Sequence, residues 1–288
     1  MFDPAHLEAL ATVLRTGSFD GAAAALNVTS SAVSQRIRAL EERVGTAVVI
    51  RAQPCRATAA GARLALHAED VALLEHALAA DLGQEASRPH VRIAVNADSL
   101  ATWFLPALRE VPGLLYDIVL DDQDHSADLL RRGEVQAAVT AHGAPIAGCD
   151  AHRLGRLRYI ATASPAFAAR WFPEGLTAEA LAAAPALTFN QKDRLQADWA
   201  RQVAGQPVAL PTHLIASSQA FVDAALLGLG WGMNPEPLVA GEIAAGRLVA
   251  LSDETLDTDL HWQVARLAAR PLAALTAAVR RAAADALP

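Results

Sequence analysis

Two residue types are nearly missing from this sequence, and their scarcity argues against several kinds of site. The two cysteines, Cys55 and Cys149, lie far apart and form no CxxC pair, so neither a disulfide framework nor a cysteine-bound zinc site is indicated. Lys192 is the one lysine among 24 basic residues, and Gln191 precedes it where a Walker A phosphate loop requires Gly. A Schiff-base enzyme would also need Lys192, which lies in a polar stretch, so we do not expect one.

Long apolar runs are missing too. The longest stretch without Asp, Glu, Lys or Arg is Gln202–Val222, and prolines and polar residues interrupt it, so it cannot supply the ~20 apolar residues of a membrane span. Residues Met1 to Pro4 contain neither the basic stretch nor the apolar run of a secretory signal. We therefore expect a cytoplasmic protein that does not contact a membrane.

The common catalytic motifs are also missing. The sequence contains no GxSxG, no HExxH and no histidine pair with metal-ligand spacing, and the glycines of Gly228–Gly232 lack the GxGxxG spacing. We therefore expect no enzyme, and no catalytic residues, cofactor or metal.

The length of the chain indicates the number of folding units, and its charge is unevenly distributed. The 288 residues, 53% of them hydrophobic, correspond to roughly two folding units at ~150 residues per domain. The net charge of −7 argues against a protein that coats nucleic acid over its whole surface. Between Thr29 and Arg63, however, six arginines accompany only two acidic residues. The chain therefore combines a small basic footprint with an acidic body.

The N-terminal part of the chain shows the pattern of three helices followed by a hairpin. Leucines at helical spacing predict a first helix that ends at Gly17, and the alanine-rich segment Asp20–Leu26 predicts a second helix that allows close packing. A third helix begins after Thr29, a good N-cap, and stops at Gly45. Val48–Arg51 then has the pattern of a strand in a short hairpin, the wing of a winged helix.

The third helix has two different faces. Val33, Ile37 and Leu40 share an apolar face, whereas the other face is polar and has no acidic residue between Thr29 and Leu40. An ordinary amphipathic helix with a solvated polar face is the plain alternative. The two preceding helices and the tight turn favour a helix that enters the DNA major groove, where Gln and Arg donate to base edges and phosphates. The residues expected at the DNA are Ser18, Thr29, Ser30, Ser31, Ser34, Gln35, Arg36 and Arg38, with Arg51 and Arg56 on the wing.

The rest of the chain alternates short apolar runs with helical patterns. This alternation predicts an α/β domain with a largely parallel sheet. Strands are predicted at Val91–Val95, Asp117–Leu120, Ala137–Val139, Tyr159–Ala163, Ala186–Phe189, His213–Ala216 and Leu248–Leu251.

Several of these residues also carry a family resemblance. The N-terminal motifs resemble the DNA-binding domain of LysR-type transcriptional regulators, and they are Gly17-Ser18-Phe19, Ser31–Ile37, Leu40-Glu41, Gly45 and Thr58–Gly61. Further motifs resemble the branch that controls export of lysine and arginine, the ArgP/LysG type, and they are Asn96–Trp103, Leu130–Glu134 and Ala138–Thr140. The resemblance covers essentially the whole chain.

The resemblance implies a three-part α/β protein. Residues 1–58 would form the winged helix-turn-helix domain, 59–89 a linker helix with a hinge at 84–89, and 90–288 an effector domain. That domain would resemble a periplasmic binding protein, with one subdomain at 91–160 plus 267–288, a second at 161–266, and the effector in the cleft between them.

The linker segment Ala59–Gly83 carries an apolar stripe. Alone, it could be an ordinary core helix; in the family, this helix pairs with its twin in a dimer. The stripe consists of Leu66, Leu73, Leu74, Leu78 and Leu82. The partners implied by the resemblance are double-stranded promoter DNA, an amino-acid effector and a second copy of the chain, with a homotetramer and a contact with RNA polymerase as further options.

Two predicted strand ends offer a site for a carboxylate. Val91–Val95 leads into Asn96–Ser99, and His213–Ala216 leads into Ser217-Ser218, so each presents a hydroxyl and free backbone N–H groups at a helix start. Taken singly, such residues usually cap helices. Because both occupy matching family positions, we predict a ligand site instead. The expected effector-binding residues are Asn96, Asp98, Ser99, Thr102, Trp103, Asp121, Asp122, Thr140, Ser217 and Ser218.

A third strand, Asp117–Leu120, ends in an acidic run that begins with Asp121 and Asp122. A solvated loop is the plain alternative, but carboxylates beside the cleft would favour an ammonium or guanidinium group. The resemblance then implies a regulator that senses lysine or arginine and controls an exporter gene. The resemblance implies a glutamate near Gln123, and because this sequence departs from that pattern, the choice among lysine, arginine and histidine stays open. A LysR-type regulator of another pathway, or a chromosome-origin-binding protein with a different small effector, is the alternative.

Overall fold

The computed structural model describes residues 1–84, 88–120, 126–141 and 143–287. Its N-terminal elements are α1 (Pro4–Thr16), α2 (Phe19–Ala25), α3 (Ser30–Val44), β1 (Val49–Ile50) and β2 (Arg56–Ala57). Local chemistry sets the helix ends. Side chains of Asp3, Ser18 and Thr29 each accept a backbone N–H at the start of a helix, and Gly17 and Gly45 end α1 and α3 in the left-handed conformation. The predicted winged helix-turn-helix is confirmed.

The backbone of this domain lies very close to the helix that follows, at one glycine. Gly61 lies in the first turn of α4 (Ala59–Asp81), where the helix packs against the wing. A Cβ atom at Gly61 would lie 1.8 Å from the Val48 carbonyl oxygen. The backbones therefore approach each other more closely than any side chain permits.

Helix α4 carries the leucine stripe, and the structure divides that stripe in two. Leu73 is buried in the core of the C-terminal domain, whereas Leu74, Leu78 and Leu82 are 41%, 58% and 63% exposed. These three lie four residues apart and so share one face of the helical segment. The hinge predicted at 84–89 includes residues outside the described ranges.

Helix α4 is also tied to the C-terminal domain by a buried amide. Gln136 Nε2 donates to Asp70 Oδ1 at 3.2 Å, and Gln136 Oε1 accepts from the backbone N–H of Arg92 at 2.8 Å. Burial raises the pKa of the Asp70 carboxyl and of the neighbouring Glu69 carboxyl.

The C-terminal domain is built on a six-stranded mixed sheet. Its strands are β3 (His90–Val95), β4 (Leu115–Leu120), β5 (Ala137–Thr140), β6 (Cys149–Ala163), β9 (Gly232–Pro235) and β10 (Val249–Ala265). They lie in the order β4-β3-β5-β10-β6-β9. A separate parallel pair, β7 (Ala186–Thr188) and β8 (Thr212–Leu214), adjoins this sheet through a bridge between Ala186 and Trp231.

The expectation of a largely parallel sheet is wrong. β3 pairs in parallel with β4 and β5, but β10 is antiparallel to β5 and β6, and β6 is antiparallel to β9. The physical reason is that β6 and β10 are long passages of chain that run in opposite directions beside each other. The predicted strand Tyr159–Ala163 covers only the end of β6, and the predicted strand Leu248–Leu251 covers only the start of β10. Strand β9 was missed because Gly, Asn and Pro have low strand propensity.

Helices connect the strands and pack against the sheet. The helical run after β3 consists of α5 (Ala97–Ser99), a π-helical turn (Leu100–Phe104) and α6 (Leu105–Arg109). The remaining helices are α7 (Ser126–Arg131), α8 (Pro165–Trp171), α9 (Ala178–Ala183), α10 (Leu195–Ala204), α11 (Ser218–Leu226), α12 (Glu236–Ala244), α13 (Arg266–Ala269) and α14 (Ala273–Ala286). Within the described ranges, none of the helices is long and apolar enough to cross a bilayer. The subdomain division at residue 160 stays a prediction, and β6 runs across it.

We expect Gly61→Ala to destabilise the N-terminal domain by at least ~1–3 kcal/mol, because the new methyl group would overlap the Val48 carbonyl. Urea denaturation followed by circular dichroism measures the change. Gly241→Ala is the matched control, since Gly241 lies in helix α12 with no atom within 4 Å of an added Cβ. Equal stability of the Gly61→Ala protein and the parent would contradict this account of the close approach.

Candidate DNA-reading helix and effector cleft

Helix α3 presents a polar surface opposite its buried face. Val33, Ile37 and Leu40 are buried in the core of the N-terminal domain, as predicted. The remaining residues predicted on the reading face are exposed in part or fully, with Ser31, Gln35 and Arg38 exposed and Ser34 and Arg36 half-buried. The long side chains of Gln35 and Arg38 can therefore reach a ligand outside the domain.

Three other residues predicted at the DNA have their hydroxyls engaged within the protein. Ser18 Oγ accepts from Gly21 N and Thr29 Oγ1 accepts from Ala32 N, each at a helix start. Ser30 Oγ donates to the Asp20 carboxylate, which ties α3 to α2. These groups hold the helix-turn-helix geometry, and any contact with DNA stays a prediction for them.

The two wing arginines have different surroundings. The Arg51 guanidinium lies over the Phe19 ring at 4.8 Å from its centroid and remains exposed. Arg56 lines a cleft of about 720 Å³ between the N-terminal and C-terminal domains, opposite His90 and Arg92. Both arginines are exposed, and a contact of either with a DNA phosphate stays a prediction.

The two predicted helix starts of the C-terminal domain meet at one carboxylate. Asp98, in α5, accepts from Ser218 Oγ at 2.6 Å, and Ser218 is the first residue of α11. The other Asp98 oxygen accepts from the Tyr159 hydroxyl of β6 at 2.8 Å. Three distant segments of the chain therefore converge here, as the predicted cleft requires.

Several predicted effector residues carry polar atoms that are buried and, among the described residues, lack a hydrogen-bond partner. These atoms are Ser99 Oγ, Trp103 Nε1 and both amide atoms of Asn96. Asn96 precedes the helical run but its side chain makes no capping bond, so the capping alternative fails for it. The π-helical turn at Leu100–Phe104 begins directly after Ser99, and such turns are frequent at functional sites.

The other predicted effector residues have structural partners or lie outside the described ranges. Thr102 Oγ1 donates to the Asp98 carbonyl at 2.6 Å, Thr140 Oγ1 accepts from Gln263 Nε2 at 3.1 Å, and Ser217 Oγ caps α11 through Ala220 N. Asp121 and Asp122 fall outside the described residues.

A cleft of about 640 Å³ adjoins the Asp98 group. Its lining comes from the segments next to the predicted residues, including Ala97, Leu120 and Ala216, and from a segment that we did not predict, Phe189–Lys192. Leu120 immediately precedes the acidic run. The volume suits a ligand of amino-acid size.

Two contributions to this site were not predicted from the sequence. Tyr159 was assigned to a strand, and nothing in the local pattern indicates that its hydroxyl contacts Asp98. The segment Phe189–Lys192 follows β7 in the chain, so the rule applied to the other strand ends could have found it. Asn190 Oδ1 accepts from the N–H groups of Lys192 and Asp193, which fixes this turn.

The electrostatics of the cleft centre on Asp98. Burial raises the pKa of its carboxyl, the hydrogen bonds from Ser218 and Tyr159 lower it, and the negative charge of Asp193 raises it; the net direction is upward. A ligand cation beside Asp98 would relieve this unfavourable burial of charge.

Comparisons with known proteins agree with both parts of the fold. The family model described as LysR substrate binding domain matches residues 84–288. The model described as bacterial regulatory helix-turn-helix protein, lysR family, matches residues 4–62. The chain belongs to the LysR family. It is therefore a member of a family of helix-turn-helix transcriptional regulators.

Several LysR-family proteins are similar along the whole chain. The HTH-type transcriptional regulator LysG of Mycobacterium bovis is 46% identical over 283 residues, which cover 98% of this chain and 93% of that protein. The lysine export transcriptional regulatory protein LysG of Corynebacterium glutamicum is 39% identical over 289 residues, 99% of each chain.

Two solved structures are also similar to this LysR-family chain. The crystal structure of ArgP from Mycobacterium tuberculosis has a TM-score of 0.81 at 44% identity and covers 100% of this chain and 99% of its own. Full-length LysG from Corynebacterium glutamicum with bound effector Arg has a TM-score of 0.67 at 39% identity and covers 99% of each chain.

We expect Gln35→Ala to lower the affinity for a specific promoter fragment by ~1–3 kcal/mol, because it removes a side chain able to bond base edges. Arg51→Ala should instead weaken the binding of all DNA sequences by a similar factor. It should also reduce by ~1 the slope of the logarithm of affinity against the logarithm of salt concentration. Fluorescence anisotropy with promoter and unrelated duplexes measures both effects. Gln206→Ala, on the exposed surface of the C-terminal domain, is the control. A Gln35→Ala protein that keeps the parent's ratio of specific to non-specific affinity would show that α3 does not read the sequence through this residue.

Proposed function

We propose that this protein is a transcriptional regulator that binds a basic amino acid, lysine or arginine, and controls an amino-acid exporter gene. The observation that carries the proposal is the convergence of two helix starts on the Asp98 carboxylate beside a cleft of amino-acid size. The names of similar proteins support the effector class, since one is a lysine export regulator and one structure holds Arg.

The chemistry of the cleft suits both polar ends of an amino acid. Free N–H groups at the start of α11, with the hydroxyls of Ser99 and Ser217, can receive the α-carboxylate. Asp98 can receive the α-ammonium group. From the sequence, Asp98 was placed only in the segment Asn96–Ser99, which was expected to receive the carboxylate. The cationic end of the side chain would point toward Asp121 and Asp122, which follow the cleft residue Leu120.

Regulation would follow from a change in the relative pose of the two subdomains. The effector contacts residues on both sides of the cleft, so its binding energy differs between the poses. The protein would bind DNA with or without effector, and the effector would change how the DNA-bound helices are held. Such a regulator works where promoter DNA lies, in the cytoplasm.

We also propose that the protein forms a homodimer through α4. Leu74, Leu78 and Leu82 form an exposed apolar face, although the neighbouring Asp81 bonds Arg270 of the same chain. A second copy of the same face would bury it, and a winged helix alone contacts too little DNA for regulatory specificity. A tetramer and a contact with RNA polymerase stay predictions from the family resemblance.

Isothermal titration of the full chain with lysine, arginine and histidine tests the effector. We expect binding of lysine or arginine, a loss of at least about 1 kcal/mol for Asp122→Asn, and a weaker affinity of Ser99→Ala for every amino acid that binds. Ser31→Ala, on the exposed face of α3, is the control. The absence of heat with all three ligands, or tighter binding of leucine, would overturn the proposed effector.

Light scattering tests the dimer. We expect the parent to be at least a dimer at micromolar concentration and Leu78→Asp to shift it toward monomer, because the charge would lie in the apolar contact. Ala80→Asp adds the same charge to the opposite, exposed side of α4 and should leave the mass unchanged. Leu73 is unsuited to this test because it is buried in its own chain. A monomeric parent would refute the dimer.

A further inference from the structure

Tyr159 is a buried tyrosine whose hydroxyl bonds Asp98, the residue that follows the cleft residue Ala97. The residue lies in β6, its exposure is 0%, and its ring belongs to the core of the C-terminal domain. The hydroxyl donates to Asp98 Oδ2 at 2.8 Å, while Ser218 Oγ donates to Asp98 Oδ1 at 2.6 Å. Each carboxylate oxygen is thus fixed by one hydroxyl from a different element.

We propose that Tyr159 is a positioning residue for the effector, because it fixes the Asp98 carboxylate in the orientation that binds the effector's ammonium group. This inference rests on the proposed function. It adds a residue that has no place in the predicted site, lies in β6 and acts on the effector through Asp98.

The hydrogen-bond capacity of a carboxylate makes this arrangement possible. An ionised carboxylate has about four acceptor positions, and the two hydroxyls occupy two of them. The remaining positions can accept from an ammonium group that enters the cleft. Without the Tyr159 bond, the Asp98 side chain can rotate about its Cα–Cβ and Cβ–Cγ bonds, and the effector would then have to order it on binding.

The same bond also affects the protonation of Asp98. Burial raises the pKa of Asp98, and the bonds from Tyr159 and Ser218 oppose that rise. An ammonium group binds the ionised carboxylate, so affinity is present above the pKa of Asp98 and is lost as pH falls through it. Removing the Tyr159 hydroxyl raises this pKa further, so the loss begins at a higher pH.

Other charges face Asp98 from the segment after β7. Asp193 raises the pKa of Asp98 through its negative charge, and Lys192 lines the cleft beside Ala97. Asp121 and Asp122 follow Leu120 on the cleft and lie outside the described residues. These groups are unchanged in a Tyr159 variant, so a difference between variant and parent reports the loss of the hydroxyl.

A plain structural role for the hydroxyl is the competing explanation. A buried tyrosine hydroxyl needs a hydrogen-bond partner, and Asp98 could serve only that need. If the hydroxyl had only this role, its removal would lower the free energy of unfolding and would not change the pH dependence of effector binding.

The chain offers a matched control in Tyr116. It is the second of only two tyrosines, and its hydroxyl donates to the Val111 carbonyl at 2.8 Å, with no contact with Asp98. Tyr116→Phe and Tyr159→Phe therefore each remove a hydroxyl that donates a hydrogen bond of 2.8 Å.

The experiment measures the dissociation constants of L-lysine and L-arginine by titration calorimetry on the full chain, from about pH 8 to about pH 5. We expect Tyr159→Phe to weaken binding about tenfold near neutral pH, because the effector must then order the Asp98 side chain when it binds. The pH at which affinity falls should move upward in Tyr159→Phe and in Ser218→Ala. Tyr116→Phe should match the parent.

Three results would overturn the inference. The first is a Tyr159→Phe protein that keeps the parent's affinity and pH dependence. The second is a Tyr159→Phe protein whose affinity loss is the same at every pH. The third is a Tyr159→Phe protein that no longer unfolds cooperatively, because the hydroxyl would then serve the fold. A parent that binds none of the basic amino acids would instead refute the proposed effector. The two failures are therefore distinguishable.

Discussion

The antiparallel pairing of β6 with β10 is the constraint on which the C-terminal domain depends. The strands are 15 and 17 residues long and pair along most of their length, with one register shift around Ala250–Thr255 and another at Leu260–His261. β10 also pairs with β5, and β6 also pairs with β9, so the two strands hold both ends of the sheet together. Fully buried side chains on the pair, including Tyr159, Trp262 and Gln263, anchor it in the core.

The groups at the cleft come from both sheets. Asp98 lies in the helix that follows β3 of the six-stranded sheet, whereas Ser218 begins the helix that follows β8 of the separate parallel pair. Their 2.6 Å hydrogen bond therefore links the two sheets. Tyr159, in β6 of the six-stranded sheet, donates to the same carboxylate.

One strand, β3, contacts both the linker helix and the cleft. The Arg92 N–H bonds Gln136, whose amide donates to Asp70 of α4, whereas Asn96 and Asp98 follow the other end of the strand. Its six residues span roughly 20 Å at ~3.3 Å per residue. Strand β3 is buried at its carboxyl end and paired on both sides, so it is a rigid connection between these regions.

The sequence by itself determined the local features. Thr29, Gly17 and Gly45 fix helix ends through bonds and backbone angles within a few residues, and the polar spacing of α3 separates its two faces, so both were predictable. Tertiary structure alone decided the antiparallel course of β6 and β10, the burial of Leu73 and the contacts of Tyr159 and Ser218 with Asp98. Those bonds join residues 61 and 120 positions apart, and no local pattern records which strand ends will meet. The physical reason is that pairing across the sheet is selected by the packing of the whole domain.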